Sequence, residues 1–146
     1  MPLGESLREW TQLVSVQGAP RIAGSGQARA QLEGMQAARA RACDVPAGPV
    51  VTLQAGDGTE GETLKTILIC PLVPGTNFAE MAVVKIIEGP DVIYVVQRAW
   101  RLPAGDADKV RADSRDAQAA ADAFIDEIRL CNPAADTRAC PAPFPR

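Results

Sequence analysis

The order of apolar and polar positions along the chain predicts a protein with several strands and two long helices. Residues 11–17 alternate polar with apolar side chains, which is typical of a strand with one buried face. Gly18-Ala19-Pro20 is expected to end this strand. Runs of aliphatic and β-branched residues predict four further strands, at 50–54, 62–72, 78–88 and 92–102.

Two other segments repeat their apolar positions every three or four residues, as amphipathic helices do. The first helix is expected from Gln27 to Cys43 with Ser25 as N-cap, and the second from Ser114 to Leu130 with Asp113 as N-cap. Their apolar stripes are Ala28, Leu32, Met35, Ala38 and Ala42, and Ala117, Ala120, Ala121, Phe124, Ile128 and Cys131. We expect a core in which Leu32, Met35, Phe124 and Ile128 face Val14, Ile67, Ile69, Val83 and Val95.

The connections between the later strands are short, which limits how those strands can be arranged. Residues 74–77 and 88–91 are too few for a parallel crossover, so neighbouring strands should be antiparallel. The expected fold is α+β: an antiparallel β-meander sheet packed with two main helices, one after the first strand and one C-terminal. These helices can cover one face of the sheet or opposite faces. We expect a single domain over residues 5–140 and a Pro-rich C-terminal tail at 141–146.

Composition narrows the possible functions. The chain has 146 residues and a formal net charge of -3, which argues against a nucleic-acid partner. It has no histidine, which excludes Ser-His-Asp and Cys-His catalysis and His-ligated metals. Without a run of 18 apolar residues, no membrane span is expected.

The four cysteines, Cys43, Cys70, Cys131 and Cys140, allow three interpretations. A zinc site is disfavoured because their spacings of 27, 61 and 9 residues contain no C-x-x-C pair. Four reduced thiols in a cytosolic protein are the second interpretation. We favour two disulfides in an exported protein, Cys131 with Cys140 across a turn-rich loop and Cys43 with Cys70 between a helix and a strand. Three connectivities are formally possible.

The expected location is therefore the periplasm or the exterior of a bacterial cell. Met1-Pro2-Leu3-Gly4 lacks the basic and apolar regions of a signal peptide. We interpret the chain as a mature form in which Met1 replaces the leader. The 12 arginines against 3 lysines, with 25 alanines, indicate a GC-rich bacterial genome.

Candidate catalytic groups are limited to carboxylates. A hydrolase-like pair could be drawn from Asp57, Glu60, Glu62, Glu80 and Glu88. All of these acids lie in predicted turns or at strand ends, where acids are usually solvated. The glycine-rich segments 24–26 and 56–58 match no phosphate-binding motif. We therefore expect no cofactor and no metal.

The end of the strand at 92–102 carries the candidate binding residues, which are Tyr94, Gln97, Arg98, Trp100 and Arg101. Tyr94, Val96, Arg98 and Trp100 share one face of this strand, and Ile93, Val95, Gln97, Ala99 and Arg101 share the other. Because both faces begin apolar, the strand should be central and covered on each side. Tryptophan and arginine dominate binding hot spots, so we interpret this end as a recognition patch for a carboxylate, glycan or protein. In the alternative interpretation Trp100 caps the core and the arginines extend past the sheet edge.

Residues 5–17 and 92–101, about a fifth of the chain, resemble uncharacterised exported domains of proteobacteria. More distantly, they are similar to the PsbP/Mog1-like α+β sandwich. The resemblance implies a non-catalytic, disulfide-stabilised domain that binds a partner, a protein or envelope component, or supports an envelope assembly. An envelope hydrolase that uses a carboxylate pair is the alternative.

Overall fold

The computed structural model describes residues 6, 9–22, 26–54 and 61–130. In chain order the elements are β1 (Gln12–Pro20), α1 (Gln27–Cys43), β2 (Val51–Gln54), β3 (Thr63–Cys70), β4 (Phe78–Glu88), β5 (Val92–Pro103), α2 (Ala107–Asp113) and α3 (Arg115–Glu127). The five strands described here form one antiparallel sheet in the order β1-β5-β4-β3-β2. The α+β class and the meander are confirmed.

The helices cover opposite faces of this sheet, so apolar side chains fill two separate cores. The core under α1 contains Trp10, Ala28, Leu32, Leu64, Leu68, Ala82, Val84, Ile86, Ile93, Val95 and Ala99. The core under α2 and α3 contains Ile69, Ala79, Met81, Val83, Val96, Trp100, Val110, Ala121 and Ile125. β4 and β5 contribute alternate residues to both cores, which confirms that β5 is a central strand covered on each side.

β1 is longer than its sequence pattern predicts. It pairs with β5 without interruption from Gln12, opposite Trp100, to Pro20, opposite Val92. The expectation that Gly18-Ala19-Pro20 ends the strand is therefore wrong. β1 lies at the edge of the sheet, where a proline that lacks an N–H group is tolerated.

α1 has the predicted bounds but a different start and a different buried stripe. Its N-cap is Gly26 at φ 83°, without a side-chain cap, and Ser25 lies outside the described residues. Burial follows Ala28, Leu32 and Gln36, whereas Ala38 and Ala42, expected to be buried, are exposed. Gln36 is tolerated inside because its amide donates to the Gly48 carbonyl at 2.6 Å and to Thr66 Oγ1 at 2.7 Å.

The predicted second helix is divided into α2 and α3. Asp113 ends α2 instead of capping α3, and Asp106 caps α2 by accepting from the Lys109 N–H at 2.9 Å. The residues that α3 buries are Ala121 and Ile125, whereas Phe124 is 38% exposed. The predicted apolar stripe through Ala117, Ala120 and Phe124 therefore does not coincide with the side of the helix that is buried.

The prediction of one common core is also wrong, because the predicted core residues lie on opposite faces of the sheet. Leu32 and Val95 belong to the α1 side, and Ile69 and Val83 to the α3 side. Val14 is 45% exposed because β1 is an edge strand and α3 packs over β4 and β5. Its alternating pattern marks a face of the strand, but none of the described helices covers that face at Val14.

The disulfide between Cys43 and Cys70 is confirmed, with 5.1 Å between the two Cα atoms. It joins the last residue of α1 to the last residue of β3, and therefore fixes the helix to the sheet. Cys131, Cys140 and the tail at 141–146 lie outside the described residues. Within the described part of the chain, no helix is long and apolar enough to cross a membrane.

Candidate functional site

On the α3 side of β1 and β5, the described residues leave an apolar surface uncovered. Val14 and Val16 are 45% and 62% exposed there, and they lie directly opposite Arg98 and Val96 of β5. Opposed residues of antiparallel strands project from the same face of a sheet. The two valines therefore form exposed apolar surface on the α3 side of the sheet, next to the area that α3 covers.

Tyr94 continues this surface toward the far end of β1. It lies opposite Gly18, and a Cβ atom built on Gly18 would be 3.7 Å from the Tyr94 Cε1 atom. The aromatic ring therefore packs on bare glycine backbone, an arrangement that covers an edge glycine. The ring is half-buried there.

Arg98 and Phe124 form the boundary of the surface next to α3. The Arg98 guanidinium carbon lies 5.4 Å from the centroid of the Phe124 ring, and Nη1 donates to the Ala120 carbonyl at 3.4 Å. A stacked guanidinium is attracted by the face of the ring. We name this surface the β1/β5 face and define it by Val14, Val16, Tyr94, Arg98 and Phe124.

Trp100 projects from the same side of β5 but belongs to the core. Its side chain is 6% exposed, and its Nε1–H donates to Ser114 Oγ at 3.0 Å. Ser114 is the residue between α2 and α3. The indole therefore fixes the junction of these two helices to the sheet.

Arg101 and Gln97 lie on the opposite, α1 side of the sheet. The Arg101 guanidinium carbon is 3.8 Å from the Trp10 ring centroid and 4.3 Å from the Phe78 ring centroid. Its Nε is 3.5 Å from Glu80 Oε2. Among the five predicted binding residues, the structure thus brings Tyr94 and Arg98 together on one exposed surface and separates Arg101 and Gln97 from them.

Each candidate carboxylate within the described residues forms an ion pair. Glu62 pairs with Arg29 at 2.8 Å, Glu80 with Arg39 at 3.2 Å, and Glu88 with Arg21 at 2.9 Å. Glu80 and Glu88 are eight residues apart on β4, or roughly 26 Å at about 3.3 Å per residue, which is too far for one catalytic pair. Asp57 and Glu60 lie outside the described residues. Among the residues that the structure describes, no group of three Cys, Asp or Glu side chains could hold a metal.

Three residues of the β1/β5 face, Val14, Val16 and Phe124, were absent from the sequence-based binding prediction. The sequence does carry one signal, because β1 contains no charged residue although edge strands commonly do. The absence of charge in β1 can be interpreted only once the strand order shows that β1 is an edge strand.

The structure thus defines a disulfide-stabilised α+β domain with a helix layer on each face of an antiparallel sheet. Comparison with protein-family models, with curated proteins and with solved structures found no match to the chain. The PsbP/Mog1-like resemblance stays a prediction.

Proposed function

We propose that this protein is an exported, non-catalytic domain that binds a protein partner through the β1/β5 face. The observation that carries the proposal is the exposure of Val14, Val16 and Phe124 beside Arg98 and Tyr94. Exposed apolar surface of this kind marks interaction sites, and aromatic and arginine side chains supply most of their binding energy.

The shape of the surface favours a protein over a small ligand. Sites for small molecules are concave and enclose most of their ligand. The β1/β5 face instead lies on an open sheet surface with the Phe124 side of α3 along it. Arg98, already stacked on Phe124, loses little conformational freedom on binding and can orient a carboxylate of the partner.

The Cys43–Cys70 disulfide supports the exported location, because such bonds persist in oxidising compartments. A periplasmic or secreted bacterial domain that supports an envelope assembly is the setting we propose. The hydrolase alternative has weaker support, since Glu62, Glu80 and Glu88 are each held by an arginine.

A photo-crosslinking amino acid at position 16 tests the proposal in cells that export the protein. We expect one discrete crosslinked product with a protein other than this chain, which mass spectrometry distinguishes from a crosslinked pair of copies and which should be lost in the Arg98→Ala variant. The same probe at Leu72, which is 52% exposed after β3, is the matched control and should give no such product. The replaced side chains are at least partly exposed, so circular dichroism should show an unchanged fold.

The proposal fails if position 16 gives no product with a protein other than this chain. It also fails if position 72 gives the same product, because the contact would then be unspecific.

A further inference from the structure

The two edges of the sheet differ in how they are protected. β2 has four residues, and its register with β3 shifts between Thr52 and Gln54. Short length and irregular register are devices by which natural edge strands prevent pairing with other chains. β1 has neither of these features, since it has nine residues and an unbroken register with β5. It also carries no charged side chain.

Hydrogen bonds at the two ends of β1 show which of its backbone groups face outward. The Arg101 N–H donates to the Thr11 carbonyl at 2.9 Å, and the Arg21 N–H donates to the Asp91 carbonyl at 2.9 Å. Hydrogen-bonded pairs alternate along an antiparallel ladder, so the odd-numbered residues of β1 bond to β5. The N–H and C=O groups of Gln12, Val14, Val16 and Gly18 therefore point away from the sheet, toward an edge with no described strand beside it.

We propose that a second copy of this chain pairs with this edge, β1 against β1 and antiparallel, to form a continuous ten-stranded sheet. A two-fold axis at Ser15 sets Val14 opposite Val16 of the second copy, and Gln12 opposite Gly18 of the second copy. All eight outward N–H groups then meet outward carbonyls. The register centred on Val16 is worse, because it sets Pro20, which has no N–H, opposite Gln12.

Side chains favour the same register. The four valines at positions 14 and 16 of the two copies become neighbours on the α3 side of the joined sheet. No like charges meet along β1, despite the net charge of -3 on each chain.

The ladder has the size of a reversible interface. A typical protein interface carries about 10 ± 5 direct hydrogen bonds, and the eight bonds of this ladder fall within that range. We therefore expect a dimer whose population depends on concentration.

The pairing uses the edge of β1, whereas the proposed function uses the β1/β5 face, so the two can fail separately. A chain that stays monomeric can still bind a partner through the face. If the dimer forms, the two β1/β5 faces lie side by side between the two α3 helices, which doubles the surface offered to a partner.

Sedimentation velocity of the oxidised chain over a range of concentrations measures the dimer, and a cysteine at Ser15 tests its register. Directly opposed residues have Cβ atoms about 4.5–5.5 Å apart, so Ser15→Cys should form an intermolecular disulfide under mild oxidation. Gln17→Cys is the matched control on the same face. It lies opposite Leu13 and roughly 13 Å from its own counterpart, beyond disulfide reach. Peptide mapping should locate the bond between the two introduced cysteines.

Val16→Pro tests the backbone contact. The Val16 N–H points outward, so the proline removes a hydrogen bond of the dimer without breaking one to β5. We expect an unchanged circular dichroism spectrum and a dimer Kd that rises at least about tenfold. The proposal is overturned by a chain that stays monomeric with no Ser15→Cys product. It is also overturned by a dimer that Val16→Pro leaves intact, or by Gln17→Cys crosslinking as readily as Ser15→Cys.

Discussion

Lys65 of β3 and Lys85 of β4 lie directly opposite each other on the α3 side of the sheet, yet their ammonium groups bind different acceptors. Lys65 Nζ contacts Asp122 Oδ1 at 3.1 Å and Asp126 Oδ1 at 2.8 Å. Lys85 Nζ donates to the carbonyls of Ile125 at 3.2 Å and Ile128 at 2.8 Å. These carbonyls belong to the C-terminal end of α3, where a cation is favoured. Like charges directly opposite each other in a sheet are normally unfavourable. Here both lysines instead bind groups of α3 and hold the C-terminal part of that helix on the sheet.

The two lysines should affect stability with opposite dependence on pH. Burial lowers the pKa of Lys85 from its ordinary 10.5. Burial also acts to lower the pKa of Lys65, but the hydrogen bonds that its ammonium donates to Asp126 and Asp122 outweigh burial and leave that pKa raised. The unfolded chain therefore binds more protons at position 85, and the folded chain binds more at position 65, each between its own folded and unfolded pKa.

Relative to Lys85→Met, the wild type should gain stability as pH rises from the lowered pKa of Lys85 to 10.5. Relative to Lys65→Met, its advantage should be complete below 10.5 and decline as pH rises through the raised pKa of Lys65. Urea unfolding of the three proteins across the alkaline range measures both differences. Two differences that change with pH in the same direction would contradict the assignment.

Ile125 and Phe124 should differ sharply in their contribution to folding, although they are adjacent in sequence. Ile125 is fully buried under α3, so Ile125→Ala should lower the free energy of unfolding by about 2–5 kcal/mol. Phe124 is 38% exposed, and Phe124→Ala should cost less than about 1 kcal/mol. Chemical denaturation of both variants checks this. An equal loss in the two variants would show that Phe124 lies in the core.

Arg101 and Arg98 should also respond differently to replacement by alanine. Arg101→Ala removes the contacts of the guanidinium with the Trp10 and Phe78 rings and its ion pair with Glu80. It should lower the free energy of unfolding by about 1–3 kcal/mol. Arg98→Ala should cost less than about 1 kcal/mol, since it loses a surface contact with the Phe124 ring and a long, exposed hydrogen bond to the Ala120 carbonyl. Thermal unfolding followed by circular dichroism measures both losses. A near-neutral Arg101→Ala variant would refute the structural role of Arg101.

The Cys43–Cys70 disulfide should contribute substantially to stability because it closes a long loop. For its sequence separation of 27, loop-closure theory predicts that replacing both cysteines with alanine costs about 3.6 kcal/mol. Urea unfolding of the Cys43→Ala/Cys70→Ala double variant measures the loss.

Alkylation of the unreduced chain followed by mass spectrometry checks this bond together with the predicted Cys131–Cys140 bond. We expect no labelled cysteine. Four labelled cysteines would contradict both disulfides and the exported location.

The sequence by itself determined those features that depend on local periodicity and chain connectivity. The helix at Gln27–Cys43 and the strand at Phe78–Glu88 have the predicted bounds, because 17 and 11 residues respectively carry a continuous pattern. Antiparallel pairing followed from connections too short for a crossover. The Cys43–Cys70 bond was predicted as the pair that remains once Cys131 is assigned to Cys140, and the structure confirms it.

Only the tertiary structure decided which of these patterned faces is covered. Period-two alternation marks Val14 and Val16 as one face of a strand, but β1 pairs with β5 across some 80 residues of sequence, and this pairing sets it at an edge. Both Phe124 and Ile125 fit a helical stripe, and the choice between them depends on how α3 turns toward the sheet. Periodicity is a local property of a segment, whereas exposure depends on which distant segments pack against it, so the candidate site had to be located from the fold.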